Sequence, residues 1–172
     1  MSERGDFLRP TLMSHVEYCL IRAPFGGLGI RTEMIDESLM ITQVQYLSHL
    51  NQPSRPLNEL AKNAKEQIES YFDNPNSRFD LPIKNQGSVF QQNVWAKIES
   101  IPVGKTMTYG ELANQIKSAP RAVGGACASN HYPLIIPCHR VLSKSGIGGF
   151  MGEAKGPYLR IKQWLLKHEH AI

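Results

Sequence analysis

The chain has 172 residues, of which 41% are hydrophobic and 20% charged, and its formal net charge is +4. These values are typical of one ordinary globular domain or two small ones. The first ten residues are polar and no apolar run approaches the length of a membrane span. We therefore expect no signal peptide, no contact with a membrane and a cytoplasmic location, or a nuclear one if the chain is eukaryotic.

The cysteine content indicates free thiols. Cys19, Cys127 and Cys138 are an odd number at wide spacing, which suits a reducing compartment better than a disulfide framework. No pair has the close spacing of a zinc site, and surface or terminal positions explain the histidine spacings more simply than a metal does. We expect no cofactor and no metal.

The first half of the chain predicts a small α/β domain. Apolar and polar residues alternate over 14–22, 28–33 and 38–46, which predicts antiparallel strands. Residues 57–72 carry apolar side chains at four-residue spacing after a potential cap, Asn58, and predict an amphipathic helix. Prolines and asparagines in 73–86 indicate a linker. Residues 1–86 are therefore predicted to form a scaffold domain with its linker.

A mostly helical domain is predicted over residues 87–172. Ser88 and Gln91 form a capping box that begins a helix, and this helix ends before Pro102. Four apolar side chains of the helix are predicted to face a core: Phe90, Val94, Trp95 and Ile98.

Two short helices are predicted next. Thr108 and Glu111 form a second capping box, and Ser118 is placed to cap a further helix with Pro120 in its first turn, ending near residue 129. From residue 88 onward the chain has ten lysines and arginines against four aspartates and glutamates, which favours a polyanionic partner. Two helices with a tight turn in a basic segment suggest a helix-turn-helix, although an ordinary helical hairpin fits the pattern equally well.

The second of these helices has unusually little side-chain bulk. Gly124 and Gly125 each cost about 1 kcal/mol relative to alanine in a helix. Their presence predicts that another helix or a nucleic-acid groove approaches this backbone closely. Arg121 is the only charged residue in 118–130 and suits entry into a groove, but a solvated surface charge is an equally good interpretation.

The segment 137–141 places the softest nucleophile of the chain, Cys138, directly beside a titratable base, His139. The apolar residues 134–136 predict a buried strand, and flexible residues follow, so the cysteine would lie where a strand opens into a loop. A structural, buried cysteine is the alternative. The glycines of 145–150 predict a loop whose amides face a ligand. A final helix, from near Pro157 to residue 168 or 169, would bring Glu169 within reach of His139.

Several motifs, in this order, resemble those of the O6-alkylguanine-DNA alkyltransferase family over about residues 88–169. The Pro-Cys-His-Arg-Val core is the most specific of them. The matching segments are Val89-Phe90-Gln91 with Val94-Trp95, residues 101–106, residues 108–113, residues 121–124, Asn130 and residues 136–141.

The resemblance implies a small antiparallel sheet with a helix, followed by a helical domain that contains a helix-turn-helix. It implies a single-turnover DNA-repair protein that moves the alkyl group of O6-methylguanine, and of O4-methylthymine, from duplex DNA onto its own cysteine. The implied partner is double-stranded DNA containing O6-alkylguanine, bound by a monomer with cooperativity left open.

The resemblance also implies site residues. Cys138 would be the acceptor, His139 and Glu169 the relay that activates it through a water, Asn130 a brace, and Tyr109 a donor to the extruded base. The implied DNA-binding residues are Arg121, which fills the gap left by the base, with Tyr109, Thr108, Ala122, Gly125 and Arg140. The implied substrate pocket consists of Pro133, Val141, Gly149 and Phe150.

The chain departs from the family pattern at several places. The segment from Tyr109 to Arg121 is short, with Pro120 directly before the arginine. His131 stands where the family commonly has proline, and Phe150 where it has tyrosine. The connection from Phe150 to Lys162 is long.

Three other functions are compatible with parts of the pattern. A non-catalytic sensor of alkylated DNA would bind without reacting, but such relatives lack the acceptor cysteine. A cysteine-histidine hydrolase would need direct contact between Cys138 and His139, which point to opposite sides on an extended strand. A DNA-binding domain with a purely structural Cys138 is the third.

Overall fold

The computed structural model describes residues 15–172. Strands β1 (Val16–Ala23), β2 (Gly26–Ile35) and β3 (Ser38–Leu47) form an antiparallel sheet in the order β1-β2-β3. The three predicted strands are therefore confirmed, except that the predicted start at Ser14 lies outside the described residues.

The predicted amphipathic helix is also present, as α1 (Glu59–Asp73). Asn58 caps it as expected, because its side chain accepts a hydrogen bond from the amide of Ala61 at 2.7 Å. Its buried face includes Ala64, Ile68 and Tyr71. This face joins the core that covers the sheet.

The segment between α1 and the next helix runs along the outer edge of β3. The amide of Ile41 donates to the carbonyl of Pro82, and the amide of Lys84 donates to the carbonyl of Ile41, both at 2.9 Å. The predicted linker is therefore tied to the sheet by backbone hydrogen bonds. A domain division at residues 86 and 87 stays a prediction.

Four helices follow: α2 (Val89–Glu99), α3 (Tyr109–Gln115), α4 (Pro120–Ala128) and α5 (Pro157–His168). Both predicted capping boxes are present, at the starts of α2 and α3. Strand β4 (Met107–Thr108) pairs in parallel with β5 (Val141–Leu142), which fixes the start of α3 beside the segment that follows Cys138.

Two local predictions in this half are wrong. Ser118 does not cap α4, because Pro120 forces the residue before it, Ala119, into an extended conformation, and Ala119 is the N-cap without a side-chain hydrogen bond. Phe90 is exposed rather than in the core. It lies in the first turn of α2, and only the later Val94, Trp95 and Ile98 reach the core.

The predicted strand before Cys138 is a turn. Leu134 has φ +76°, and the amide of Ile136 donates back to the carbonyl of Tyr132 at 2.8 Å. An apolar run specifies burial but not strand conformation, which explains the error. Cys138 then begins one turn of 3-10 helix, Cys138–Arg140, so the argument that an extended strand separates the two side chains no longer applies.

Both halves of the chain share one hydrophobic core, which extends from the sheet through α2 and α4 to α5. Within residues 15–172, no helix combines the length and the apolar character that crossing a bilayer requires.

Candidate active site

Cys138 lines a cavity of about 280 Å³, although most of the residue is buried. Tyr109 from α3, Gly124 and Cys127 from α4, and Gly149 and Phe150 from the following loop form other parts of the cavity wall. The cysteine therefore borders a space that a small molecule or a base can occupy.

Asn130 fixes the position of this sulfur. Its side-chain amide donates to Cys138 Sγ at 3.2 Å and to the carbonyl of Ile136 at 2.9 Å. Its Oδ1 accepts from the amide of Tyr132 at 2.8 Å. Because Asn130 follows α4 directly, it connects the end of that helix to the turn that carries the cysteine.

A buried pair of His139 and Glu169 lies behind the cysteine. His139 Nε2 donates to Glu169 Oε1 at 2.9 Å, and both side chains are buried. This is the contact that the sequence led us to expect. Within the described residues, His139 Nδ1 is buried and has no hydrogen-bond partner, so it is available to a water or to a proton.

Arg140 belongs to the same buried network. Its guanidinium donates to both oxygens of Glu169 at 2.9 Å and to the carbonyl of Ile101 at 2.7 Å, and the residue is buried. These contacts do not favour the predicted DNA-binding role of Arg140, which stays a prediction.

Tyr71 in α1 completes the network. Its hydroxyl donates to Glu169 Oε1 at 2.8 Å across 98 positions of sequence. The sequence analysis treated this helix as scaffold without chemistry. The single sequence signal is that Tyr71 falls on the apolar face of α1, which does not distinguish a hydroxyl that needs a partner from an ordinary core aromatic.

Lys162 is a second residue that sequence reasoning missed, because a lysine is rarely buried. Its ammonium donates to the carbonyls of Val141 at 2.7 Å and Gly149 at 3.0 Å. It lies 5.9 Å from the ring centre of Tyr109 and 5.6 Å from that of Phe150. Burial lowers its pKa to about 8, so a positive charge stands beside the cavity at neutral pH.

The surroundings of Cys138 disfavour ionisation of its thiol. Its hydrogen bond with Cys127 and its burial raise the pKa of Cys138 well above the usual range, while Asn130 and Lys162 act in the opposite direction. The resting sulfur is therefore a thiol rather than a thiolate. Its reaction requires a base that accepts the proton.

His139 meets this requirement. Burial lowers its pKa below the ordinary range, although Glu169 partly opposes the shift. Burial also disfavours the charged form of Glu169, but hydrogen bonds from His139 and Arg140 outweigh this and lower its pKa to about 2. At neutral pH the network thus contains a neutral imidazole oriented by an ionised carboxylate.

One face of α4, which includes Arg121 in its first turn, is exposed beside the cavity. Arg121, Ala122 and Gly125 are exposed, and Thr108 caps the neighbouring α3. A Cβ atom added at Gly124 or Gly125 would meet no atom of the described residues within 4 Å. Within residues 15–172, no other helix packs so closely against Gly124 or Gly125 that a glycine is needed there. This excludes helix packing within these residues as the reason for the two glycines.

Two predicted pocket residues lie elsewhere. Gly149 and Phe150 line the cavity, whereas Pro133 and Val141 do not. Pro133 is buried in the turn that bridges to Ile136, and Val141 is buried in β5. Both were assigned through the resemblance to the family. A larger cavity of about 590 Å³ lies against Arg140 and does not include Cys138.

Comparison with known proteins agrees with this arrangement. The family model described as "6-O-methylguanine DNA methyltransferase, DNA binding domain" matches residues 89–171. A methylated-DNA–protein-cysteine methyltransferase of Methanosarcina acetivorans is 42% identical over 113 residues, which are 64% of this chain and 70% of the relative. The protein of that name from Mycolicibacterium paratuberculosis is 35% identical over 76% of this chain and 81% of its own.

Solved structures show the same similarity. The crystal structure of Mycobacterium tuberculosis O6-methylguanine methyltransferase has a TM-score of 0.71 and 32% identity, covering 91% of this chain and 93% of that one. A structure of the M. tuberculosis protein in complex with DNA has a TM-score of 0.69 with 32% identity, covering 90% and 92%. With the acceptor motif and the buried relay in place, the chain belongs to the family of methylated-DNA–protein-cysteine methyltransferases.

Proposed function

We propose that this chain repairs DNA by moving the methyl group of O6-methylguanine onto Cys138 Sγ, once per molecule. The observation that carries the proposal is the setting of that sulfur: Cys138 lines the cavity, Asn130 donates to its sulfur, and the adjacent His139 is paired with Glu169. O4-methylthymine has the same oxygen-bound methyl group and is proposed as a second substrate.

The transfer is a displacement at carbon. The proton of the Cys138 thiol passes through a water to His139 Nδ1, and Glu169 stabilises the imidazolium that forms. Sulfur then bonds to the methyl carbon while the bond between carbon and O6 breaks, and the electron pair remains on the guanine. The product is a thioether, which water does not cleave, so the acceptor is used up.

Tyr109 is proposed to donate the proton that the departing guanine requires. Burial and the two nearby cysteines raise the pKa of its phenol, so the proton is retained at neutral pH. Its present partner is the carbonyl of Gly149 at 3.4 Å. A bond of that length is weak and is readily exchanged for one to a base in the cavity.

Positioning supplies most of the rate. A better-ionised thiolate is also a weaker nucleophile, so lowering its pKa gains only a few-fold in rate, whereas alignment in the cavity is worth about 7 kcal/mol or more. A base inside a duplex cannot reach this sulfur, so it must be extruded at a cost of a few kcal/mol. Arg121, exposed at the start of α4, is proposed to offset part of that cost by filling the gap.

The proposed partner is double-stranded DNA, bound by α3 and α4 acting as a helix-turn-helix. The open space beside Gly124 and Gly125 supports a close approach of the nucleic acid to this backbone. The similarity to a protein crystallised with DNA supports the same partner. We propose that the chain acts as a monomer, with residues 1–86 as scaffold and 87–172 as the DNA-binding and acceptor part.

Intact mass measurement tests the function. After incubation with duplex DNA containing one O6-methylguanine, each molecule should gain the mass of one methyl group, located on Cys138. Cys138→Ala should bind the same DNA and gain nothing. A wild-type chain that binds the lesion and stays unmodified would establish the sensor instead.

A further inference from the structure

A second thiol shares the cavity of the acceptor cysteine. Cys127, in the last turn of α4, and Cys138 both line this cavity, and both are free. The two side chains therefore border one space of about 280 Å³. The third cysteine, Cys19, is buried in β1. The proposed methyl transfer uses Cys138 alone and gives Cys127 no part.

The surroundings of the two sulfurs suit thiol chemistry. The buried ammonium of Lys162 interacts electrostatically with both Cys127 and Cys138, and a nearby cation stabilises a thiolate. The cavity of about 280 Å³ is large enough for a small polar molecule. Two thiols that neighbour each other at such a place are the arrangement from which disulfides form, since a thiolate attacks a nearby oxidised sulfur.

We propose that Cys127 and Cys138 are joined in a reversible disulfide when a peroxide enters the cavity, so that oxidation masks the acceptor sulfur. The Cys138 thiol gives its proton to His139, and its sulfur attacks the peroxide, becomes a sulfenic acid and releases hydroxide, which takes up that proton as water. The other sulfur displaces hydroxide from the sulfenic acid and forms the S–S bond. Two thiols and one hydrogen peroxide thus give one disulfide and two waters, and a dithiol reductant restores both thiols.

The same step protects the acceptor. A sulfenic acid on Cys138 with no neighbouring thiol proceeds to sulfinic and sulfonic acids, which dithiols do not reduce. With Cys127 beside it, the sulfenic acid is resolved first. The inference that the disulfide blocks DNA repair rests on the proposed function. The inference that the disulfide forms does not.

Peptide mapping tests the bond directly. No lysine or arginine occurs between Arg121 and Arg140, so trypsin releases residues 122–140 as one peptide with both cysteines and without Cys19. After mild treatment with hydrogen peroxide and alkylation of remaining thiols, this peptide should lack the mass of two hydrogens and carry no alkyl label. Thermolysin, which cleaves on the amino side of leucine and isoleucine and so between the two cysteines at Leu134 or Ile135, should then give two peptides that separate only on reduction.

Two variants make the test specific. In Cys127→Ser, peroxide should add oxygen masses to Cys138, and dithiothreitol should not restore the methyl acceptance that the untreated variant shows. Cys19→Ala should form and lose the disulfide as the wild type does, and reduction should restore its methyl acceptance.

Addition of oxygen without loss of two hydrogens in the wild-type peptide would overturn the proposal, as would a bond that involves Cys19. A reversible Cys127–Cys138 bond in a chain that never accepts a methyl group would instead leave the bond established and refute the proposed function.

Discussion

The two sides of Cys138 differ in how many of their polar groups form hydrogen bonds within the protein. On the inner side, Glu169 accepts hydrogen bonds from His139, Arg140 and Tyr71, and all four residues are buried. On the outer side, the backbone of α4 at Gly124 and Gly125 faces open space. The polar groups of the inner side are therefore satisfied within the chain, whereas the outer side leaves room for another molecule.

This difference predicts two classes of variant. Changes on the inner side should reduce reaction with every substrate, including a free modified base. Changes on the outer side, at residues that do not line the cavity, should reduce reaction with duplex DNA only. Free O6-benzylguanine, where the cavity admits it, serves as the substrate that bypasses the outer side.

The largest effect is expected for Glu169→Gln. Loss of the carboxylate leaves Arg140 buried without a counter-charge, which typically costs about 3–5 kcal/mol of unfolding free energy. The imidazolium of His139 also loses its stabilising partner, so transfer should slow about 100-fold on duplex and free base alike. Chemical denaturation and single-turnover mass measurements give the two values. Retention of the wild-type rate on free base would contradict the relay.

The same carboxylate predicts an acid limit to stability. The pKa of Glu169 is about 2 in the folded chain, whereas an unperturbed glutamate has a pKa of 4.5. The stabilisation is fully present above about pH 4.5 and is lost as the pH falls towards 2, with a total on the order of 3 kcal/mol. Urea unfolding of the wild type across this range should show the loss, and Glu169→Gln should show a smaller slope.

Arg121→Ala is expected to have the next largest effect, on the outer side. If the arginine offsets part of the cost of extruding the base, as proposed, its loss should slow transfer from duplex DNA about 10- to 100-fold, equivalent to about 1.4–2.7 kcal/mol. Reaction with free O6-benzylguanine should be unchanged. Arg22→Ala, which removes one positive charge from β1, is the matched control. Equal losses on the two substrates would refute the assignment of Arg121.

Tyr71→Phe should give a smaller effect on the inner side. It keeps the buried ring and removes one hydrogen bond to a charged group, worth about 1.5–3 kcal/mol. Without that donor, Glu169 stabilises the imidazolium of His139 more strongly and the pKa of His139 rises. The acid limb of the rate profile should therefore move to higher pH, a shift that a purely structural role would not cause. Tyr158→Phe, at a partly buried tyrosine in α5, is the control.

The smallest effects are expected at the two glycines of α4. Gly124→Ala and Gly125→Ala should each stabilise the fold by up to about 1 kcal/mol, because the helix gains propensity and no atom of the described residues obstructs the new methyl group. Gly125→Ala should weaken duplex binding without affecting the free base. Gly124, which lines the cavity, should also affect the free base when substituted. Destabilisation by either change would contradict the open space.

Local features were predictable from the sequence, and distant contacts were not. Asn58 and the capping boxes at Ser88 and Thr108 were correct because a cap depends on residues three positions apart. The turn at Leu134 was mistaken for a strand because apolar residues report burial rather than backbone conformation.

The site residues that were not predicted are those whose contacts join parts of the chain that are distant in sequence. The motif around Cys138 and the resemblance to the family were sufficient to anticipate the contact between His139 and Glu169. The hydroxyl of Tyr71 and the buried ammonium of Lys162 depend on how α1 and α5 pack, which no spacing encodes. The resting protonation of Cys138 depends on Cys127, whose proximity arises from the fold.

The edges of the three-stranded sheet have a further consequence. β3 is bonded along its free side by Pro82, Lys84 and, through the amide of Val44 at 2.8 Å, by the carbonyl of His131. Unpaired strand edges promote self-association of folded proteins. Under the proposed function, each molecule reacts once and must remain folded and monomeric until it meets damaged DNA. Covering the edge of β3 therefore protects unreacted molecules from aggregation.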